Sequence, residues 1–284
     1  INMGEKIAVY GDYDVDGITA TCLLTDWLCC KGAECVSYIP DRIEEGYGLN
    51  CEAIESLGRK GVKLIITVDC GITAYNEAEF ARSIGIDLII TDHHECRDIT
   101  LPNAVAVIDP KQAQCTYPNK DLAGVGVALK LACAVDGDSR KIIKKYADIA
   151  AVGTIADVVP LRGENRYIVR TGLRNLENNV RPGLAALIRE AGVEERKMNA
   201  STIGFSIAPR LNAAGRLGCV PIALNLLMTH DKTKASALAA ELCDLNRRRQ
   251  TLETDIWNDA LTHIDHPVDE PVPLVLASSE WHQG

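Results

Sequence analysis

The sequence predicts an α/β fold with a mostly parallel, doubly wound sheet, a helical extension and a long connecting helix. Short apolar runs alternate with amphipathic stretches over the first 110 residues. Residues 122–230 are mainly helical in pattern, and residues 232–263 are rich in Ala, Leu, Glu and Arg and contain neither Gly nor Pro. Because alternating strands and helices are typical of parallel sheets with right-handed crossovers, these observations give the fold class.

Five apolar runs predict strands, and three amphipathic stretches between them predict helices. The predicted strands cover residues 6–10, 35–39, 63–68, 87–90 and 104–108, and the predicted helices cover residues 18–30, 51–59 and 74–84. The helical region that follows is predicted to break at Gly163, Pro182 and Pro209. Residues 232–263 predict one helix, which is longer than a typical globular helix and is therefore expected to connect two domains. Residues 273–277 predict one further strand.

The chain has 284 residues and a formal net charge of −9 that is distributed unevenly. Residues 162–250 contain 15 basic and 8 acidic side chains, a net charge of +7, so the remainder of the chain carries −16. Solvated helix faces would explain this separation of charge, and so would a carboxylate metal site beside a surface for a polyanion. Composition leaves both interpretations open, although it excludes the disordered and fibrous classes.

Eleven cysteines are scattered along the chain without a C-x-x-C pair, and this spacing disfavours a zinc site built from thiolates. We interpret the cysteines in apolar stretches as reduced core residues of a cytoplasmic protein. These are Cys22, Cys29, Cys30, Cys70, Cys133 and Cys243. Apolar runs fall short of the roughly 18 residues of a membrane span, so no membrane partner is expected.

Four segments place acidic or imidazole side chains just after an apolar strand or inside an apolar run. They are residues 9–17 (VYGDYDVDG), 65–71 (IITVDCG), 89–95 (IITDHHE) and 151–159 (AVGTIADVV). The acids of the first segment alternate as in a calcium loop, but Leu23 stands where that loop needs its twelfth-position Glu, so calcium of that kind is disfavoured. Ligands of doubly wound sheets bind beyond the carboxyl ends of the strands, which makes these segments the candidates for chemistry.

Each segment also has a purely structural explanation. Asp14 could cap a helix, Asp69 could close a turn, His93 could be a satisfied core histidine and Asp157 could pair with a buried Arg. Together the segments favour a metal site, because several carboxylates at one place repel one another unless a cation neutralises them. Carboxylates with one imidazole suit Mn²⁺ or Mg²⁺, and two such ions can activate a water against a phosphoester.

At these segments the sequence resembles a known family. Residues 11–17 (GDYDVDG), 68–71 (VDCG), 92–94 (DHH) and 153–157 (GTIAD) match, in order and spacing, the four motifs of the DHH phosphoesterase superfamily. Residues 40–49 (PDRIEEGYGL), 209–216 (PRLNAAGR), 245–250 (LNRRRQ) and 280–284 (EWHQG) resemble its branch of bacterial single-strand-specific 5'-to-3' DNA exonucleases. This resemblance extends over essentially the whole chain.

The resemblance implies a role for each residue that coincides with a family motif. Asp14 would ligate one metal ion, Asp16 the other, and Asp69 would bridge the two. His93 and Asp157 would complete the shell of the second ion, and Asp12 would lie close to the first. His94 would face the scissile phosphate, with Asp92 orienting the imidazole beside it. Arg42 and Arg216 would contact DNA phosphate, with Asn212 nearby. Solvation or domain packing is the favoured explanation for the basic residues 247–249.

The function implied is metal-dependent 5'-to-3' exonucleolytic hydrolysis of single-stranded DNA in repair and recombination, with two Mn²⁺ or Mg²⁺ ions as cofactors. Single-stranded DNA is the implied partner, and a single-strand-binding protein and a helicase are further candidates. An alternative within the superfamily is a phosphodiesterase that acts on short oligonucleotides or cyclic dinucleotides. A scaffold protein that keeps the fold without catalysis is a rival of another class, which the five intact ligands Asp14, Asp16, Asp69, His93 and Asp157 disfavour.

The resemblance also implies a division of the chain. Residues 1–160 would form the catalytic DHH domain and residues 161–231 the helical part of the catalytic core. Residues 232–265 would form the connecting helix, and residues 266–284 the truncated start of a second domain. Members of the exonuclease branch carry a leader, a complete second domain and an oligonucleotide-binding domain. The sequence is therefore expected to be a fragment. It should retain metal-dependent hydrolysis better than substrate capture and processivity on long strands.

Overall fold

A computed structural model describes residues 1–96, 100–178, 180–264 and 273–282. The strands are β1 (Lys6–Tyr10), β2 (Cys35–Tyr38), β3 (Val62–Val68), β4 (Asp87–Thr91) and β5 (Ala106–Ile108). The helices of the sheet region are α1 (Val15–Cys30), α2 (Cys51–Arg59), α3 (Tyr75–Ser83), α4 (Gly124–Asp136) and α5 (Ser139–Ala156). The remaining helices are α6 (Gly163–Asn178), α7 (Pro182–Glu190), α8 (Ala200–Thr202), α9 (Ala208–Arg216), α10 (Val220–Met228) and α11 (Lys232–Thr262), with a π-helical turn (Ile203–Ile207) between α8 and α9.

The five strands form one parallel sheet in the order β2-β1-β3-β4-β5, which confirms the predicted fold class. Alternate side chains of β1 point to opposite faces: Val9 packs in a core with α1, α4 and α5, whereas Tyr10 packs in a second core with α2 and α3. Helices therefore cover both faces of the sheet. The strand order reverses between β1 and β3, and that switch point is where doubly wound sheets open a crevice at their carboxyl edge.

The helical extension packs against the first of these cores rather than forming a core of its own. Leu184, Leu211, Leu226 and Leu242, from α7, α9, α10 and α11, are fully buried in the same apolar cluster as α1. The predicted long helix is confirmed as α11, which Asp231 caps by accepting hydrogen bonds from the backbone N–H groups of the first turn. The described residues that α11 buries lie in its first half, so its second half projects beyond the core.

Three expectations are wrong in detail. Pro209 does not break the helical run, because it lies in the first turn of α9, where a missing N–H is tolerated after the π-helical turn. Residues 273–277 form no strand, since within the described ranges no neighbouring strand offers the hydrogen-bond partners that an extended segment needs. Cys29 and Cys30 are exposed at the end of α1 and are not core residues.

Two other expectations concern thiols and membranes. All eleven cysteines fall within the described ranges and are free thiols, and Cys22, Cys70, Cys133 and Cys243 are buried as predicted. In the part of the chain that the structure describes, no helix combines the length and the apolar character needed to cross a bilayer.

Candidate metal centre

Three neighbouring strands deliver an acidic side chain to the same edge of the sheet. Asp12 follows β1 by two residues, Asp69 directly follows β3, and Asp92 directly follows β4. These strands are adjacent and parallel, so their carboxyl ends meet at one place. All three side chains are buried. The convergence predicted from the sequence is therefore present at the carboxyl edge of the sheet.

Asp14 and Asp16 reach this edge from the start of α1. Asp14 is the N-cap of α1 and accepts a hydrogen bond from the Gly17 backbone N–H at 3.0 Å, so the capping explanation for Asp14 is also correct. The two carboxylate oxygens of Asp16 accept hydrogen bonds from the backbone N–H groups of Gly124, at 2.6 Å, and Val125, at 2.9 Å. These donors begin α4, so Asp16 supplies the anion at the N-terminus of a helix that has no side-chain cap of its own.

Asp69 adopts a left-handed backbone conformation with a φ of 63°. Its N–H donates to the carbonyl of Thr91 at 3.1 Å, which ties the end of β3 to the end of β4. Gly124 leaves room for its carboxylate, because a Cβ atom at position 124 would lie 2.5 Å from Asp69 Oδ1. Gly124 thus affects two acids. Its backbone N–H donates to Asp16, and its lack of a side chain leaves space for Asp69. No sequence pattern singles out Gly124, since its only signal is a glycine at a helix start.

The candidate ligand atoms form connected groups. Those of Asp12, Asp14 and Asp69 lie within 4.8 Å of one another, and so do those of Asp16, His93 and Asp157. Asp157 sits at the C-cap of α5, with Oδ2 3.7 Å from Nδ1 of His93. Nε2 of His93 lies 3.0 Å from Asp69 Oδ1, and this contact joins the two groups. All six residues predicted as metal ligands therefore share one site.

Several oxygens in this site lack hydrogen-bond partners. Asp12 Oδ1 and Asp157 Oδ2 are buried and accept no hydrogen bond from the described residues, and the buried Asp69 Oδ1 has His93 Nε2 at 3.0 Å without a well-formed hydrogen bond. A buried carboxylate oxygen without a partner is costly, and a divalent cation is the partner that several such oxygens could share. Oxygen donors with one or two imidazoles are the set that Mn²⁺ and Mg²⁺ prefer. The side chains present thus fit the ions that the sequence predicts.

The pKa values of the clustered carboxyl groups also show that burying these negative charges together is unfavourable. Burial and the neighbouring Asp14 raise the pKa of Asp12 to about 7, and burial with repulsion from Asp14 raises the pKa of Asp157 to about 6. Burial and nearby carboxylates hold the pKa values of Asp16 and Asp69 well above the usual range. Burial lowers the pKa of His93 to about 4, which keeps its imidazole neutral and able to ligate a cation. A bound cation would lower the pKa values of these carboxyl groups.

Asp92 organises the loop that carries the two histidines. It accepts hydrogen bonds from the backbone N–H groups of Ile72 and His93 and from Nδ1 of His94, the last at 2.7 Å. Burial raises the pKa of Asp92, but these hydrogen bonds outweigh burial and leave the pKa below its ordinary value. The same contact with Asp92 raises the pKa of His94. Asp92 is therefore placed to orient His94, as the resemblance implies.

A cleft of about 330 Å³ opens beside the cluster. The predicted nucleic-acid contacts Arg42, Asn212 and Arg216 line it together with Asp12, Asp14 and His94. Asn212 accepts a hydrogen bond from the Val15 backbone N–H at 3.1 Å, which ties α9 to the start of α1. This contact holds α9, and with it Arg216, at the edge of the sheet.

Two tyrosines in the cleft were not predicted from the sequence. The hydroxyl of Tyr47 lies 3.4 Å from Nδ1 of His94, and the Tyr13 ring stacks under the Arg42 guanidinium at 5.3 Å. Both tyrosines lie in motifs that the resemblance covers, but no pattern in those motifs indicates which way an aromatic ring points. Among the described residues, Asp157 makes no ion pair with an Arg, and its titratable neighbour is instead His93, with Nδ1 3.7 Å from Asp157 Oδ2.

Comparison with known proteins yields relatives over the whole chain. Residues 6–154 match the family described as "DHH family, N-terminal domain". The chain is 45% identical over all its 284 residues to the single-stranded-DNA-specific exonuclease RecJ of Bacillus subtilis (strain 168). It is 40% identical, over 99% of its length, to the exonuclease of the same name from Escherichia coli (strain K12). The chain spans 36% and 52% of the lengths of these two relatives.

A solved structure shares the fold as well. The crystal structure of RecJ in complex with Mn²⁺ from Thermus thermophilus superimposes with a TM-score of 0.79 at 37% identity, covering 93% of this chain and 38% of that one. At this identity and coverage, the arrangement of strands and helices described above is that of a metal-binding relative.

Proposed function

Because the chain belongs to the DHH family, we propose that it hydrolyses phosphodiester bonds of single-stranded DNA from the 5' end in a metal-dependent reaction. The observation that carries this proposal is the cluster of five carboxylates and His93, with unpartnered buried oxygens, beside a cleft lined by two arginines. A scaffold would gain nothing from such charges. The relatives named as single-stranded-DNA-specific exonucleases supply the substrate class.

We assign the ligands in two groups that follow the geometry. Asp12, Asp14 and Asp69 would hold one Mn²⁺ or Mg²⁺ ion, and Asp16, His93 and Asp157 the other, with Asp69 near enough to His93 to serve both. When bound, such a pair of ions lowers the pKa of a water molecule and neutralises charge on the phosphate oxygens. In the reaction, a water oxygen forms a bond to phosphorus as the P–O bond to the leaving oxygen breaks.

The other residues of the cleft would bind and orient the phosphodiester. Arg42 and Arg216 present guanidinium groups, whose planar fork suits phosphate oxygens. Asp92 occupies Nδ1 of His94, which leaves Nε2 for the substrate. The contact with Asp92 raises the pKa of His94, which favours the protonated imidazole as a hydrogen-bond donor to a phosphate oxygen.

The proposed setting is the cytoplasm, in DNA repair and recombination, with a single-strand-binding protein and a helicase as partners. The division into residues 1–160, 161–231, 232–265 and 266–284 stays a prediction. Residue 265, at the end of the third part, and residues 266–272 and 283–284 of the last part lie outside the described residues, and with them the end of the motif at residues 280–284.

Hydrolysis of single-stranded DNA labelled at either end, with Mn²⁺, tests the proposal. Asp69→Asn should lower turnover by about 10³-fold or more, because it removes the carboxylate shared by both groups. Asn tolerates the left-handed backbone at this position, whereas Ala would add strain, so Asn is the better substitution. Asp87→Asn is the matched control, since Asp87 is exposed at the opposite end of β4 and should leave turnover unchanged.

Each outcome of this experiment has a distinct meaning. Stepwise loss of nucleotides from the 5' end, absent in Asp69→Asn, would support the proposal. Turnover of a dinucleotide or a cyclic dinucleotide, without turnover of longer strands, would favour the small-substrate phosphodiesterase. Full turnover by Asp69→Asn would refute the two-ion assignment, and no turnover by the parent protein would leave a truncated enzyme and a scaffold to be separated by a Mn²⁺-binding titration.

A further inference from the structure

Arginine recurs at every fourth position along α6 and just before it. The four residues, named here the α6 arginine row, are Arg162, Arg166, Arg170 and Arg174, and all of them are exposed. Because four residues of an α-helix advance by about 6 Å and bring the chain back to nearly the same side, these side chains share one face of the helix. The row belongs to the basic block of residues 162–250, and none of its members lines the cleft of the metal centre.

The guanidinium groups of the row make no ion pair or hydrogen bond with the residues that the structure describes. Glu164, on the same helix, pairs instead with Lys130 of α4 at 2.7 Å. Arg181, shortly after the helix, pairs with Asp148 and is therefore a structural arginine. The other acid of α6 is Glu177, near the end of the helix, so the row keeps an excess of positive charge that faces solvent.

The start of α5 continues this positive surface. Asn175 of α6 donates a hydrogen bond to the backbone carbonyl of Lys144 at 2.9 Å, so the end of α6 lies beside the start of α5. Arg140, Lys141 and Lys144 are exposed there and border a shallow depression of about 480 Å³. Asp138 also borders it, but its carboxylate caps α5 by accepting a hydrogen bond from a backbone N–H. These three cations and the α6 arginine row together form the α5–α6 surface.

This surface extends away from the metal centre. At one end, the candidate ligand Asp157 caps α5, and Arg162 follows it by five residues. At the other end lie the basic residues of the first turns of α5, a helix of 18 residues that is about 27 Å long. Phosphates of one DNA strand recur about every 3.4 Å along a duplex axis, so the surface is long enough to face roughly eight base pairs.

The side chains of the surface favour a phosphate backbone over unpaired bases. Proteins that hold single strands combine cations with aromatic side chains on which successive bases stack. Among its described residues, the exposed side of α6 and the start of α5 offer one aromatic ring, that of Tyr167, beside seven cations. A duplex covers its bases and carries about twice the charge density of one strand, and guanidinium groups suit phosphate oxygens. A duplex therefore complements this surface better than a single strand does.

We propose that the α5–α6 surface binds the phosphate backbone of double-stranded DNA that continues from the single strand held in the cleft. The inference rests on the proposed function and deepens it, because it adds a paired segment to the substrate. Contacts to phosphate alone would make this binding independent of base sequence. The surface would hold a partly paired DNA while its single-stranded 5' end is degraded.

The first experiment measures binding of a labelled, blunt duplex of about 20 base pairs by fluorescence anisotropy, in EDTA and at several salt concentrations. The triple variant Arg166→Ala/Arg170→Ala/Arg174→Ala should lower the slope of log K against log salt by about 3, because each phosphate contact contributes roughly 0.9. Binding of a single-stranded hexanucleotide should stay as in the parent, since so short a strand is held in the cleft. Circular dichroism should show that the exposed substitutions leave the helices intact.

A matched control makes the same change in net charge elsewhere. Lys60→Ala/Lys63→Ala/Arg82→Ala removes three exposed cations at the ends of α2, β3 and α3, and should leave the slope for the duplex unchanged. A second experiment uses Mn²⁺ and a duplex with a single-stranded 5' tail. In the triple arginine variant, KM for this substrate should rise roughly tenfold, whereas turnover of the hexanucleotide should equal that of the parent.

Other outcomes would overturn the inference. An unchanged slope in the triple arginine variant, or an equal decrease in the control, would mean that the α6 arginine row is a solvated helix face. An equal loss of duplex and hexanucleotide binding would assign the row to the single strand. Polyglutamate that binds the parent more tightly than the duplex does, and loses this binding in the variant, would assign the surface to an acidic protein. The proposed function is judged separately, by whether the parent degrades the hexanucleotide in Mn²⁺.

Discussion

The two sides of the cleft carry charges of opposite sign, and the two sets of charges differ in how deeply they are buried. On the sheet side, Asp12, Asp16 and Asp69 are buried together, and oxygens of Asp12 and Asp69 lack hydrogen-bond partners among the described residues. On the other side, Arg42 from the loop after β2 and Arg216 from α9 are half-exposed, and Arg42 stacks on an aromatic ring. Buried like charges oppose folding, whereas half-exposed arginines do not. The carboxylate side is therefore the stronger indicator of function, and the arginine side needs an experiment to separate binding from packing.

Among variants that keep every candidate ligand and cleft residue, the largest effect should come from closing the space beside Asp69. Gly124→Ala would place a Cβ atom 2.5 Å from Asp69 Oδ1, so the carboxylate must move. We expect a loss in kcat/KM of about 10²-fold, since a displacement of about 1 Å at a reacting centre has that effect.

Gly126→Ala, on the same helix, is the matched control. Its Cβ would meet the Leu122 side chain at 3.2 Å, and this side chain can adjust. Circular dichroism should show α4 intact in both variants. Equal activity of the two variants would mean that the position of Asp69 does not depend on Gly124.

A smaller effect is expected on the arginine side. Arg216→Ala should weaken binding of single-stranded DNA roughly tenfold and lower the slope of log K against log salt by about 1, because one phosphate contact is lost. Binding measured by fluorescence anisotropy at several salt concentrations checks this. Arg170→Ala removes an exposed arginine of α6 that is outside the cleft lining and should leave the slope unchanged. An unchanged slope in Arg216→Ala would assign Arg216 to packing.

The smallest effect concerns stability of the metal-free protein. Folding raises the pKa of Asp157 from 3.8 to about 6 and that of Asp12 from 3.8 to about 7. Between about pH 4 and pH 7 the folded chain therefore holds protons that the unfolded chain has released. The stabilisation is fully present below about pH 4 and is lost as pH rises through 6 and 7, with a slope of at most about 1.4 kcal/mol per pH unit per proton.

Urea unfolding from pH 4.5 to 8 measures this dependence, in EDTA and in Mn²⁺. In Mn²⁺ the sign should reverse, because the ion binds deprotonated ligands and stabilises more as pH rises. Asp12→Asn should reduce the slope seen in EDTA. A metal-free stability that rises over this range would contradict the assignment of unpaired, buried carboxylates.

The prediction from sequence succeeded where local pattern and topology act together. Apolar runs gave the strands nearly to the residue, and parallel strands bring Asp12, Asp69 and Asp92 to one edge by geometry alone. The strand predicted at residues 273–277 failed because an extended segment needs a neighbour, which local pattern does not supply. The predicted break at Pro209 failed because the π-helical turn before it is set by packing.

The sequence by itself determined the fold class, the set of candidate ligands and the family resemblance, because strand periodicity and motif spacing are local properties of the chain. Tertiary structure decided which groups meet. The Asp16 carboxylate accepts a hydrogen bond at the N-terminus of α4, 108 residues away, and the Asn212 side chain of α9 accepts one from the Val15 backbone N–H. The exposed Phe205 lines a groove that shares Asn212 and Arg216 with the cleft. Such contacts depend on how helices pack on the sheet, and packing is fixed by the whole core rather than by any single segment.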